Sequence, residues 1–186
     1  MNPPARLARR TTVTSIAGTS VAELTLLDWK RRVFAIYAEV RRGDPERSWQ
    51  RWRAERDLLF ATHPQTPLPA AGRAALTPLP YYDYDPAARV TGLVRAAEPA
   101  DHQIDTSTGE RISFRRFAEV QFELYGERCS LPLYWLEGYG GGVFLPFADA
   151  TSRTTTYGGG RYLLDTVKGA DLGGGEGELM LDFNCA

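Results

Sequence analysis

Ile112-Ser113-Phe114-Arg115-Arg116-Phe117-Ala118-Glu119-Val120-Gln121-Phe122-Glu123-Leu124 is the stretch that decides the fold. Ala118, Val120, Phe122 and Leu124 alternate with Glu119, Gln121 and Glu123. That two-residue period belongs to an antiparallel strand with one face in a core and the other in water. Phe117 falls on the charged side of the alternation. Toward the C-terminus, Tyr125-Gly126-Glu127 turns the chain and Cys129 to Leu136 returns as a strand. Gly138 to Gly142 turns it again, and strands follow at Val143–Phe147, Arg161–Leu164 and Glu178–Phe183. Toward the N-terminus, His102 to Glu110 reads as a polar loop and Arg89 to Glu98 as a strand. Asp85-Pro86 marks a turn, and Tyr81, Tyr82 and Tyr84 a short aromatic strand. Short strands joined by glycine-rich turns predict an antiparallel sheet curled into a barrel or sandwich.

Ahead of this half the period lengthens. Leu24, Leu27, Val33, Ile36, Tyr37 and Val40 recur at helical spacing over Val21–Arg42. Asp44-Pro45-Glu46 supplies an N-cap, a first-turn proline and an acid for a second helix, Pro45 to Ala61. Trp49, Trp52, Leu59 and Phe60 form its apolar side, while Arg53 or Arg56 is placed to reach a buried carboxylate. His63-Pro64-Gln65-Thr66-Pro67-Leu68-Pro69 ends that helix in an extended crossing. The expected architecture is therefore α+β: an N-terminal helical hairpin (residues 21–61) packed on a mainly antiparallel β-barrel or sandwich (79–184). Residues 1–20 read as a disordered tail ahead of a single domain, 21–186.

Composition narrows the function classes. The 186 residues are 43% hydrophobic and 24% charged with a net charge of -1, so no basic field serves nucleic acid or an anionic membrane. Arg6, Arg9 and Arg10 are not followed by an apolar stretch, so neither an export signal nor a membrane span is expected. Cys129 and Cys185, with His63 and His102, are too few to build a cysteine or three-histidine metal site. No metal and no cofactor is expected, and the compartment expected is the cytoplasm. The only lysines are Lys30 and Lys168; arginine carries nearly all the basic charge, as in a GC-rich bacterial, actinobacterial genome.

The candidate chemistry lies in the β half. Asp83, Asp85, Asp149, Asp165 and Asp182 flank strands. They are suited either to acid–base work or to pairing with Arg89, Arg161 and turn amides. Tyr157-Gly158-Gly159-Gly160-Arg161 reads as a tight turn, or as a ligand-facing loop with Arg161 at its edge. Aromatic density is high: Tyr82, Tyr134, Trp135, Tyr139, Phe144 and Tyr157 suit either an ordinary core or a polar-studded cavity inside the barrel. The expected catalytic residues are Asp149, Asp83 and Tyr157; the expected ligand-binding residues are Arg161, Tyr134, Tyr82 and Arg89.

An ordered series of segments then becomes familiar: Asp28-Trp29-Lys30-Arg31-Arg32, His63-Pro64-Gln65-Thr66-Pro67-Leu68, Tyr82-Asp83-Tyr84-Asp85-Pro86, Pro146-Phe147-Ala148-Asp149, Tyr157-Gly158-Gly159-Gly160-Arg161-Tyr162 and Leu181-Asp182-Phe183-Asn184. From about Ala22 to Asn184 the chain resembles the family called domain of unknown function 1684. The resemblance brings no activity, substrate or cofactor with it. It implies that Arg153 stands where members carry a small residue, and that a Cys-Pro-rich segment and a closing strand would follow Asn184. Without that strand, an open sheet edge would invite a homodimer or leave a groove. Three readings of function remain. One is a small-molecule-binding barrel acting as a cofactor-independent cyclase or isomerase of secondary metabolism. The second is a non-catalytic binder of a flavin-like or other apolar ligand, and the third a structural or interaction protein.

Overall fold

The computed structural model describes residues 22–73, 75, 78–105 and 111–186. The N-terminal tail expected over residues 1–20 lies outside them. Helix α1 spans Ala22–Arg42 and α2 spans Pro45–Thr62. Asp44 caps α2 as its sequence demands, accepting a hydrogen bond from the Arg47 amide. A short α3 spans Ala70–Arg73. Six strands follow: β1 Arg89–Asp105, β2 Arg111–Leu124, β3 Glu127–Leu136, β4 Gly142–Phe147, β5 Arg161–Asp165 and β6 Glu178–Asp182.

All the pairings between these strands are antiparallel, in the order β5-β4-β3-β2-β1-β6. The two edge strands, β5 and β6, approach one another, so the sheet is a nearly closed barrel. Its inner face is Ala118, Val120, Phe122, Leu133, Leu145, Phe147, Leu163, Leu164 and Leu181. Val120 and Leu145 are fully enclosed, and burial of each such side chain contributes about 1.5–3 kcal/mol. Apart from Phe122 and Phe147 this face is aliphatic, and Tyr82, Tyr134, Trp135, Tyr139, Phe144 and Tyr157, whose density suited a barrel cavity, are not among its buried residues.

Three sequence expectations are corrected by packing. Residues 80–85 run extended but join no sheet. Their aromatic rings turn to the helices instead, Tyr81 meeting Trp52 at 5.6 Å and Tyr84 meeting Trp49 at 5.4 Å. Strand β1 does not stop at Glu98: after a bulge it continues, His102 pairing with Phe114 and Ile104 with Ile112. In β2, Arg116 pairs with Tyr134 and Ala118 with Leu133, which leaves Phe117 as a bulged residue. That bulge accounts for a large apolar side chain among the charges.

The helical hairpin packs through Ile36, Tyr37, Val40, Trp49 and Trp52 against Ala170, Leu172 and Cys185. Leu24 and Leu27, which share the apolar stripe, are exposed. Arg53 and Arg56 find aromatic rings rather than carboxylates: Arg53 lies over Trp49 and Tyr81, Arg56 over Trp52 and Phe60. Cys185 is buried, and burial pushes its thiol pKa up. Both cysteines are free.

Candidate functional site

Five of the seven expected site residues meet at one end of the barrel. This end collects the start of β1, the β2–β3 turn, the β4–β5 loop and the residues after β6. Between them and the extended segment 80–85 lies a groove of about 860 Å³. Asp83, Tyr82, Asp149, Tyr157 and Arg161 line it, with Tyr125. The lining spans Pro80 to Ala186 in sequence, so only the fold assembles it.

The β4–β5 loop forms one wall. The Asp149 carboxylate accepts from the Thr151 amide at 2.9 Å and from Arg161 Nη2 at 2.7 Å. Thr151 Oγ1 donates to Asp149 as well and accepts from Arg161 at 3.2 Å. Burial pushes the Asp149 pKa up, but the Thr151 hydrogen bonds and the Arg161 guanidinium outweigh it and hold the carboxyl below its ordinary range. Asp149 is thus a fixed counter-charge for Arg161, poorly placed to trade protons near neutral pH. Arg161 also stacks on Phe147, 4.7 Å from the ring centroid. The glycine run serves the turn. Gly160 has φ +84°, and a Cβ on Gly159 would meet the Tyr157 ring at 2.6 Å. Arg153 holds a left-handed position at φ 69°, a conformation that few non-glycine residues adopt.

The opposite wall and floor are fastened by a polar network. Asp182 is fully buried and pairs with Arg89 Nη1 at 2.8 Å. Asn184 donates to Asp182 at 2.8 Å and to the Asp85 carbonyl at 2.9 Å, while accepting from the Asp85 amide at 2.8 Å. Asp85 in turn caps the 3₁₀ turn Pro86–Ala88 through the Ala87 amide and accepts from the Tyr125 hydroxyl at 2.8 Å. Tyr82 reaches across the groove to hydrogen-bond Thr155.

Two expected residues are elsewhere. Arg89 does not line the groove, because Asp182 draws its guanidinium into the wall beneath. Tyr134 sits toward the far end of β3, against His102 at 5.4 Å and Phe114 at 6.3 Å. Phe114 lines a separate hollow of about 390 Å³ with Phe144 and Tyr139. Tyr125, Thr155 and Asn184 are groove residues that sequence reasoning missed as site members. Tyr125 is raised into the rim by φ 53° in a two-residue turn with Gly126, and Tyr-Gly signals only the turn. His63 is structural: Nδ1 accepts from the Gln65 amide at 3.1 Å, so Nε2 carries the proton toward Asp28 at 3.2 Å. Among the described residues no three His, Cys, Asp or Glu side chains gather as a metal ion would require.

A helical hairpin on a nearly closed six-stranded antiparallel barrel, with a groove at one end, defines the class. The chain belongs to the family of proteins of unknown function DUF1684, whose profile matches residues 74–186. Every residue lining the groove falls inside that span. A solution NMR structure of an uncharacterised protein from Haloarcula marismortui is similar, with 33% identity and a TM-score of 0.52 over 75% of this chain and 75% of that one. No curated protein gives a significant match. Among the described residues no helix is long and apolar enough to cross a membrane.

Proposed function

We propose that the protein is a small-molecule-binding barrel whose ligand lies in the groove at the 80–85 end. The observation that carries this reading is the groove itself: about 860 Å³, rimmed by tyrosines and threonines whose positions are fixed by hydrogen bonds. An apolar ring-bearing body suits the Tyr82, Tyr125 and Tyr157 faces, and the threonine hydroxyls of the β4–β5 loop supply orientation. Non-catalytic binding is favoured over a cyclase or isomerase by the state of Asp149. A carboxylate held low by Thr151 and Arg161 makes a poor general acid or base.

Ligand-observed NMR with a library of small ring compounds tests this reading. The hits should be lost in Thr155→Trp, which fills the groove from an exposed loop position and leaves the core alone. Hits that bind the filled variant equally well, or an absence of hits, would overturn it.

A further inference from the structure

The geometry points to an organic ammonium compound as the class of ligand that this groove takes, an inference that rests on the groove being the binding site. The charges lining the groove are Asp83, Asp85, Asp149 and Arg161. The Arg161 charge is matched by Asp149 at 2.7 Å, and the nearby Arg89 by Asp182 at 2.8 Å. Asp85 is held by the Ala87 amide and the Tyr125 hydroxyl. Asp83 is different: among the described residues it has no hydrogen-bond or ion-pair partner, and it is exposed on the groove wall. The charges of the lining that no cation matches, on Asp83 and Asp85, are therefore negative, and that of Asp83 is also free of hydrogen bonds among the described residues. An anion would meet Asp83 and Asp85 with its only cation already taken.

The aromatic rim supports the same sign of charge independently. Tyr82, Tyr125 and Tyr157 are 58%, 65% and 78% exposed. None of the three has a ring or cation partner among the described residues, whereas Tyr81 already carries Arg53 at 4.9 Å. Free tyrosine faces lining the same groove as an unpaired carboxylate are the chemistry that recognises a soft, weakly hydrated ammonium group. The threonines of the β4–β5 loop add neutral acceptors for N–H or O–H groups at its periphery. Arg153, packed against Gly158, is not among the lining residues.

Three probes of matched shape and different charge test the inference: choline, 3,3-dimethylbutan-1-ol and 3,3-dimethylbutanoate. Each is titrated into isotope-labelled protein while the Tyr82, Tyr125 and Tyr157 resonances are followed. Choline should bind about tenfold more tightly than the neutral alcohol, and the carboxylate most weakly. Asp83→Asn, which removes a charge without removing any internal bond, should erase about fivefold of that preference. Equal binding of choline and the alcohol, tighter binding of the carboxylate, or no shift at these tyrosines from any probe would overturn it. If the alcohol binds in the groove as well as choline, the groove reading stands and the charge inference alone falls. The ring-compound library decides the groove reading separately.

Discussion

At the groove end of the barrel, polar side chains tie one segment to another: the Arg89–Asp182 and Asp149–Arg161 ion pairs, and the Asn184 amide on the backbone of Asp85. At the opposite end, Phe114, Phe144, Tyr139 and Ile112 line a hollow less than half as large, with Phe114 stacked on Phe144 at 5.8 Å. Both ends are formed where strands meet their turns. At the smaller hollow the polar contacts stay within β4, β5 and the turn after it, Thr166 Oγ1 accepting from the Val143 amide at 2.8 Å and Lys168 pairing with Asp165 at 3.0 Å. At the groove end they join segments from opposite sides of a wider opening. Buried polar groups cost desolvation, and each end carries one buried carboxylate, Asp182 beneath the groove and Asp165 at the smaller hollow. The wider opening, with Tyr82, Tyr125 and Tyr157 on its rim, is the end proposed above for a ligand.

Breaking the deepest bond should show the difference most strongly. Asp182→Ala leaves Arg89 without its partner in the wall, at a cost of about 3–5 kcal/mol. Urea unfolding measures it, and a loss under about 1 kcal/mol would place the pair among the weak exposed ones. Asn184→Ala should cost about 1–3 kcal/mol, since it strands the Asp85 amide and carbonyl. Thermal unfolding at fixed pH reads that effect.

The Asp149–Arg161 pair sharpens the comparison through pH. The folded-state pKa of Asp149 lies below its ordinary value of about 3.9. Its contribution to stability is therefore complete above that value and is lost as pH falls through the lower folded value. Asp149→Asn should lower stability at neutral pH and flatten the decline below about pH 4, seen in urea midpoints taken across that range. The carboxylate is 41% exposed, so the change is smaller than at Asp182. At the smaller hollow, Ile112→Ser should cost about 1 kcal/mol, because Ile112 is 37% exposed and has only part of its apolar surface, and no polar bond, to lose. A large cost there would remove the contrast between the ends.

Which parts of this were legible in sequence follows from locality. β2, β3 and their Tyr125-Gly126 turn form a hairpin, and their alternation could be read because the partner strand comes next in the chain. The α2 start was legible through Asp44-Pro45-Glu46, a signal complete within three residues. Asp149, Tyr157 and Arg161 could be placed together because one loop carries them. Arg89 could not be assigned, since its partner Asp182 arrives only when β6 pairs with β1. Tyr134 was misplaced because its position along β3 decides which barrel end it serves, and aromatic density does not report that. Segment 80–85 looked like a strand because tyrosines favour strands, yet its rings pack on Trp49 and Trp52 and its backbone joins no sheet.

The most direct measurement is a map, by backbone and tyrosine NMR shifts, of where the tightest-binding ring compound sits. The account predicts shifts concentrated at Tyr82, Tyr125, Thr155 and Tyr157, with Phe114, Tyr139 and Phe144 unmoved. Shifts confined to that second group would put the ligand at the smaller hollow and contradict it.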